Sequence, residues 1–326
     1  MKSKHHAPLT SAEISSLWTS FIGDSMSICV LSYFYEKVED PEIKNLLKFA
    51  LKLSNEHVSV IDKIYQQEGL PTPKGFSNKE DVNVNAPRLF NDTLYLYYLK
   101  NMTKAGLTTY AIILPNMSRL DIREFFSSCL ASSTELYNEV TDLLLKKGLE
   151  IRAPQIPYHK EITFVEKQSF LAGWLGEQRP LTGTEIMYLH ANIQTNNIGQ
   201  AIALGFAQVA QDQEVKAYMK RGSDIAKKHI ELFSKQLLDH NLPAPMSSHF
   251  EVLPEKIPPF SDKLMMYHTG LMSSAGMGNY GISMSLSQRR DLVTNYARLV
   301  AEVGTYADDG LSLMIKHAWL ERPPHA

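Results

Sequence analysis

Cysteine is scarce: Cys29 and Cys129 are the two in 326 residues, which excludes the disulfide framework of a small secreted domain. Both fall in apolar helical patterns and read as small buried thiols of a reducing compartment. Both lie in the first half of the chain, so a bridge between its first and fourth helices stays open at this level. Charge of one sign is lacking too. Lys plus Arg number 33 against 35 Asp plus Glu, a formal net charge of -2, and nothing marks a nucleic-acid partner or an anionic membrane surface. No apolar run approaches the roughly 18 residues a spanning helix needs. The longest candidate, from Tyr95 to Leu114, is interrupted by Lys100, Asn101 and Lys104. The opening MKSKHHAPLTSAE has no apolar segment before a cleavage site, so no signal peptide is predicted and the expected protein is soluble and cytoplasmic. Catalytic signatures are missing as well: there is no Gly-x-Ser-x-Gly elbow, no P-loop, no Cys-x-x-Cys and no His-Glu-x-x-His.

What is present is a repeat. DPEIKNLLKFALKLSNEHVSVIDKIYQQEGLPTP, from Asp40 to Pro73, returns as DQEVKAYMKRGSDIAKKHIELFSKQLLDHNLPAP from Asp212 to Pro245. The first part of each copy matches at an offset of 172 residues, and the part after the following loop at 170, as Met102, Ala105, Gly106 and Tyr110 match Met272, Ala275, Gly276 and Tyr280. A two-residue change inside a loop is what a divergent duplication leaves. In the first copy Thr10 or Ser11 caps a helix whose apolar face is Ile14, Leu17, Phe21, Ile28 and Tyr35. A second helix starts at Asp40-Pro41 and stops at Gly69-Leu70-Pro71. A polar connection from about Thr72 to Pro87 is long enough to cross from one end of a bundle to the other. Two further helices follow, from Arg88 to Leu114 and from Asp121 to Lys147. The expectation is all-α: two tandem up-down four-helix bundles over 9–148 and 181–320, with a linker and brace helix over 149–180. The apolar stretch Phe164 to Leu175 supplies the brace, and the alternative for it is a partner-binding face.

Bundle interiors are where such folds place metal ligands. His57 and His229 occupy the same inward position of the second helix in each copy. Asp24 lies beside the first-helix stripe and matches Asn196, while Glu135 on the fourth helix matches Thr305. His190, His268 and Glu302 add inward candidates in the second copy. A conceivable metal set is therefore Asp24, His57 and Glu135 in one copy and His190, His229, His268 and Glu302 in the other. Iron, manganese or zinc are the ions such donors would take. Against a metal, no Glu-x-x-His occurs in the chain, and the candidate ligands change type between copies. A core histidine hydrogen-bonded to a facing Asp, Asn or Tyr is the expectation, with no cofactor. The repeated Ala-Gly-x-x-x-Tyr marks Gly106, Tyr110, Gly276 and Tyr280 as a place where helices approach closely or a ligand or partner groove opens. Gly276-x-Gly278 follows no strand and lacks a third glycine, so it is no dinucleotide motif. His5, His6, His159, His240, His249 and His325 fall in termini or loops and read as solvated.

The stretches Leu9-Thr10-x-x-Glu13-Ile14, Asp40-Pro41-Glu42, His57, Leu70-Pro71 with Pro73, and Gln178-Arg179-Pro180-Leu181-Thr182 carry a resemblance. The chain resembles a ferritin-like tandem-repeat family of unknown function from endospore-forming bacteria, similar to candidate spore coat proteins of the coat-F type. The resemblance covers nearly the whole chain and implies ferritin-like bundles. It also implies a non-catalytic structural or interaction protein of sporulation, partnered by other coat proteins or by further copies of itself. A metal-binding or metal-dependent oxidoreductase bundle built on the inward histidines is the alternative.

Overall fold

A computed structural model describes residues 7–158, 160–174, 178–245 and 250–326. His5, His6, His159 and His249, and Leu175 at the end of the expected brace, lie outside the described residues. The described residues form nine α-helices and no strand beyond a single bridge between Val82 and Phe260. Two compact units result. The first comprises 1–150, 253–265 and 317–326, and the second 151–252 and 266–316.

In the first unit α1 (Ser11–Lys37), α2 (Pro41–Gln67), α4 (Asp92–Ile113) and α5 (Leu120–Lys146) form the bundle, and the short α3 (Asn78–Asp81) lies in the crossover. Helix α1 packs on α2, α4 on α5, and α2 on both α4 and α5. Capping residues set each start. Thr10 and Glu13 close a capping box on α1, Asp40 accepts from the amides of Glu42 and Ile43 with Pro41 at the first turn of α2, and Asn91 caps α4. The third bundle helix thus begins at Asp92 and not at Arg88, because Asn91 takes the amide of Leu94. The Arg88 guanidinium holds Asp92 at 2.5 Å and donates to the carbonyl of Phe90 at 2.9 Å, fixing the turn ahead of it.

The crossover is pinned to α1 from within the core. Tyr33 is fully buried, donates to the carbonyl of Pro87 at 2.6 Å and accepts from the amide of Leu89 at 2.9 Å. Residues 253–265 join it: Ser261 donates from Oγ to Asp81 at 2.7 Å, and the amide of Asn83 donates to Pro259. Helix α1 is the one described helix long and apolar enough to cross a membrane by length and composition, so the expected candidate over Tyr95 to Leu114 is displaced. Its apolar side chains are spent inside the bundle, since Leu17, Ile22, Met26, Cys29, Leu31 and Phe34 are all buried. A helix covered by α2 on one side and by the crossover on another needs apolar residues most of the way round.

In the second unit α6 (Gly183–Val209), α7 (Gln213–Leu238), α8 (Asp262–Leu286, from Met266 onward) and α9 (Arg290–Lys316) share one core. Ile186, Leu189 and Ile193 meet Phe233 and Leu237, Tyr280, and Leu292, Tyr296, Leu299 and Val303, so all four helices contribute. Thr182 and Glu185 repeat the capping box. Each box glutamate has a second task. Glu13 also accepts the amides of Ser118 and Arg119 at the start of α5, and Glu185 those of Gln288 and Arg289 at the start of α9. One carboxylate therefore satisfies the orphan donors of two helix ends, where the dipoles favour negative charge. Among the described residues of the linker, in place of the expected brace helix, the helical part is a single 3₁₀ turn, Gln168–Leu171, and Phe164, Val165 and Trp174 are exposed.

Candidate functional site

The repeated histidine sits in a polar cluster in both units, with different wiring. In the second unit His229 on α7 is 1% exposed. Its Nδ1 lies 2.9 Å from the hydroxyl of Tyr280 on α8, and its Nε2 lies 3.3 Å from Glu302 on α9. Tyr280 in turn meets Asn196 on α6, and Lys228 holds Glu302 at 2.7 Å. Hydrogen-bond bookkeeping fixes the tautomer. Glu302 only accepts, so Nε2 carries the proton. Nδ1 then accepts from the Tyr280 hydroxyl, and the Asn196 amide donates to the Tyr280 oxygen. Every polar atom of the ring and of the phenol is used. Burial pushes the His229 pKa down against the opposing pull of Glu302, so the ring is neutral at neutral pH. Burial acts to raise the Glu302 pKa, but the bonds from Lys228 and His229 outweigh it and hold the carboxyl below its ordinary range.

In the first unit the acid has moved to another helix. His57 Nδ1 lies 3.2 Å from Asp24 on α1. The Glu302 position is Ser132, which turns its hydroxyl to the carbonyl of Cys129. A carboxylate on Nδ1 places a proton there, so in the neutral ring Nε2 is the acceptor, the reverse of His229. Tyr110 stands edge-on to the ring with its hydroxyl 3.5 Å from Nδ1, and Phe125 stands edge-on as well. Burial raises the Tyr110 pKa well above its ordinary value, helped by the charge of Asp24, so the phenol stays protonated.

The sequence candidates divide accordingly. Asp24 joins His57, and Glu302 joins His229. Glu135 is exposed on α5. His190 is buried on α6, and His268 is buried on α8 with its ring edge-on to Phe206 at 5.6 Å. No three of these seven side chains bring ligand atoms within 4.8 Å of one another. Tyr110 and Tyr280 belong to the histidine clusters. A side chain at Gly106 would meet Ser133 Oγ at 3.1 Å, a close helix approach, whereas at Gly276 it would meet nothing within 4 Å. His240, expected to be solvated, accepts at Nε2 from the guanidinium of the fully buried Arg289 at 2.8 Å. Both thiols are free and buried, so no bridge joins Cys29 to Cys129.

One constellation in the second unit escaped the sequence reading. Tyr218 on α7 and Tyr306 on α9 stack face to face at 4.2 Å, and each hydroxyl donates to the other's carbonyl, at 3.1 and 3.2 Å. Gly222 and Gly310 make room for them, for a Cβ at either would lie 2.2 Å from a tyrosine oxygen. The signal was two glycines inside amphipathic helices, each four residues after a tyrosine.

Comparison with known proteins adds a family. The DUF3231 model, described as a protein of unknown function, matches residues 1–162 and again 169–326. A search of curated proteins gives no significant match. Among solved structures, a candidate spore coat protein from Bacillus halodurans is similar at 21% identity and a TM-score of 0.40, over 48% of this chain and 98% of that one. Matched twice along its length, the chain belongs to the DUF3231 family, whose function is unknown.

Proposed function

We propose that the chain is a non-catalytic structural protein of ferritin-like bundles that works through its surfaces, as a component of spore or coat assembly. The observation that supports a structural role is the wiring of His229. Both ring nitrogens are bonded to protein groups, and the surrounding Asn196, Tyr280, Glu302 and Lys228 form one connected chain. A fully satisfied buried network specifies a unique core, and no lone pair on that ring is left for a metal or a proton transfer. The assignment to sporulation rests on the sequence resemblance alone. A fluorescent fusion in sporulating cells is expected to concentrate at the forespore, and a diffuse signal throughout sporulation counts against it.

A second reading attaches to the first unit. The Asp24–His57 pair gives the opposite tautomer, with Nε2 as acceptor and both side chains 12% exposed, which is the arrangement of an oriented metal ligand or base. Elemental mass spectrometry on protein purified without a histidine tag separates the two. The structural reading expects no stoichiometric metal after incubation with iron, manganese and zinc. Metal near one per chain, lost in His57→Ala and retained in His229→Ala, would put the metal reading first.

A further inference from the structure

The linker carries the most exposed apolar segment of the described chain, and its sequence is complementary to itself. Ile162 is 91% exposed and Phe164 85%. Residues 162–167 belong to no helix, turn or strand, follow a bend at Lys160 and Glu161 and end on extended backbone at Lys167, and among the described residues no backbone–backbone hydrogen bond engages 161–166. The flanks are held. Gln194 donates to the carbonyl of Ile151 at 3.0 Å, and Arg179 donates to the carbonyl of Phe170 at 2.8 Å while its guanidinium lies 4.1 Å from the Phe170 ring centroid. An irregular, unpaired, apolar stretch between fixed points is free to extend and pair as a strand.

Its side chains say which strand. The segment reads Lys-Glu-Ile-Thr-Phe-Val-Glu-Lys from 160 to 167. Alternation puts Lys160, Ile162, Phe164 and Glu166 on one face of an extended chain. We propose that this segment pairs antiparallel with the same segment of a second copy of this chain. Lys160 then faces Glu166 of the second copy and Ile162 faces Phe164, each pair occurring twice about a two-fold axis through Thr163. Shifted registers lose this. Moving one residue one way sets Lys160 opposite Lys167 and Glu161 opposite Glu166, and moving one residue the other way sets Lys160 opposite Val165 and Glu161 opposite Phe164. Charge complementarity thus selects both partner and register, and the bend at Lys160 and Glu161 straightens on pairing. A lone two-stranded ribbon is marginal in water, so the association is weak and grows with local concentration. The inference stands on the linker and does not depend on the reading of the histidine clusters.

Two sets of variants in the full chain test it, all at exposed positions. Sedimentation over a wide concentration range is expected to show a reversible dimer. Lys160→Glu and Glu166→Lys each raise its dissociation constant about tenfold, through like charges set opposite one another, and the double variant restores it. Under mild oxidation Thr163→Cys is expected to form a disulfide-linked dimer, because at the axis the two residues face each other with Cβ atoms about 5 Å apart. Val165→Cys is not, because its two copies sit roughly 13 Å apart along the strands. The native thiols are buried and do not compete. A monomer at every concentration, a double variant no better than the singles, or cross-linking of Val165→Cys as fast as Thr163→Cys would each overturn the proposal.

Discussion

Gly222→Ala is the sharpest test of how α7 meets α9. In an isolated helix the change would stabilise by about 1 kcal/mol, the difference in propensity. Here the new methyl lands 2.2 Å from the Tyr306 hydroxyl oxygen and 2.8 Å from the ring carbon that bears it. Tyr306 cannot yield cheaply, since it is 5% exposed, stacked within 5° of the Tyr218 plane and bonded to the Tyr218 carbonyl. Displacing it costs one buried hydrogen bond, about 1 kcal/mol, and overpacking strain of about 1–3 kcal/mol. Set against the propensity gain, the net loss is about 2 kcal/mol, a fall in Tm of roughly 4–8 °C for a unit of this size. Scanning calorimetry or thermal circular dichroism reads it directly. The first copy supplies the rescue. The positions matching Tyr218, Gly222, Tyr306 and Gly310 are Leu46, Ala50, Leu136 and Val140, all buried. Gly222→Ala with Tyr306→Leu rebuilds the Ala50–Leu136 combination and is expected to recover about half the loss. A Gly222→Ala protein as stable as the parent would refute the account of the lock.

Acid stability follows from two groups of the second unit. Burial works to raise the Glu185 pKa, but Arg179 and the amides of Thr182 and Arg289 hold it at about 2. A depressed carboxyl stabilises fully above its unfolded value near 4.5 and loses that contribution as pH falls toward 2, about 3 kcal/mol in all. Glu185→Gln is expected to flatten that part of a urea-midpoint profile. Burial lowers His268 to about 4. The unfolded chain therefore takes up the proton first, and stability declines as pH drops from about 6.5 to 4, again by about 3 kcal/mol. His268→Tyr, which installs the residue of the matching position Tyr98, is expected to abolish the slope in that window. His229→Ala strands Tyr280 and Glu302 and is expected to cost about 2–4 kcal/mol; a smaller loss in urea titration than in Ile193→Val would refute the network. Burial pushes the Cys29 thiol up to about 12 and the Cys129 thiol higher still, so neither is expected to react with a thiol reagent at pH 8 until the fold is opened with denaturant.

The repeat, the helix starts and the crossover were legible because each rests on local chemistry. Thr10-x-x-Glu13 and Asp40-Pro41 write a helix start within four residues, and the Gly69 stop adopts φ +66°. What stayed hidden depends on which helix faces which. Glu135 and Glu302 both lie near the inward stripe in sequence, yet one is exposed and the other reaches His229. In the aligned copies the two positions are three residues apart, about 60° round a helix, and the stripe is itself wider than that. Sequence periodicity cannot resolve that difference. The close approach of α7 and α9 was hidden for the same reason: Gly276 looked like a contact glycine, but a Cβ there would meet nothing within 4 Å, whereas one at Gly222 or Gly310 would clash.

The two copies show what this fold holds constant. The histidine stays while its acid moves from α1, as Asp24, to α9, as Glu302, and the vacated positions become Asn196 and Ser132. The neighbouring charge inverts with it, Glu56 in one copy and Lys228 in the other. Each unit thus sets one carboxylate on its repeated imidazole. The tyrosine lock changes in the same concerted way, two large residues and two glycines standing where the first copy has two leucines, a valine and an alanine. A site selected for chemistry would keep its ligand types and let the packing drift. Here the ligand types change between the copies, while a carboxylate meets the repeated imidazole in each.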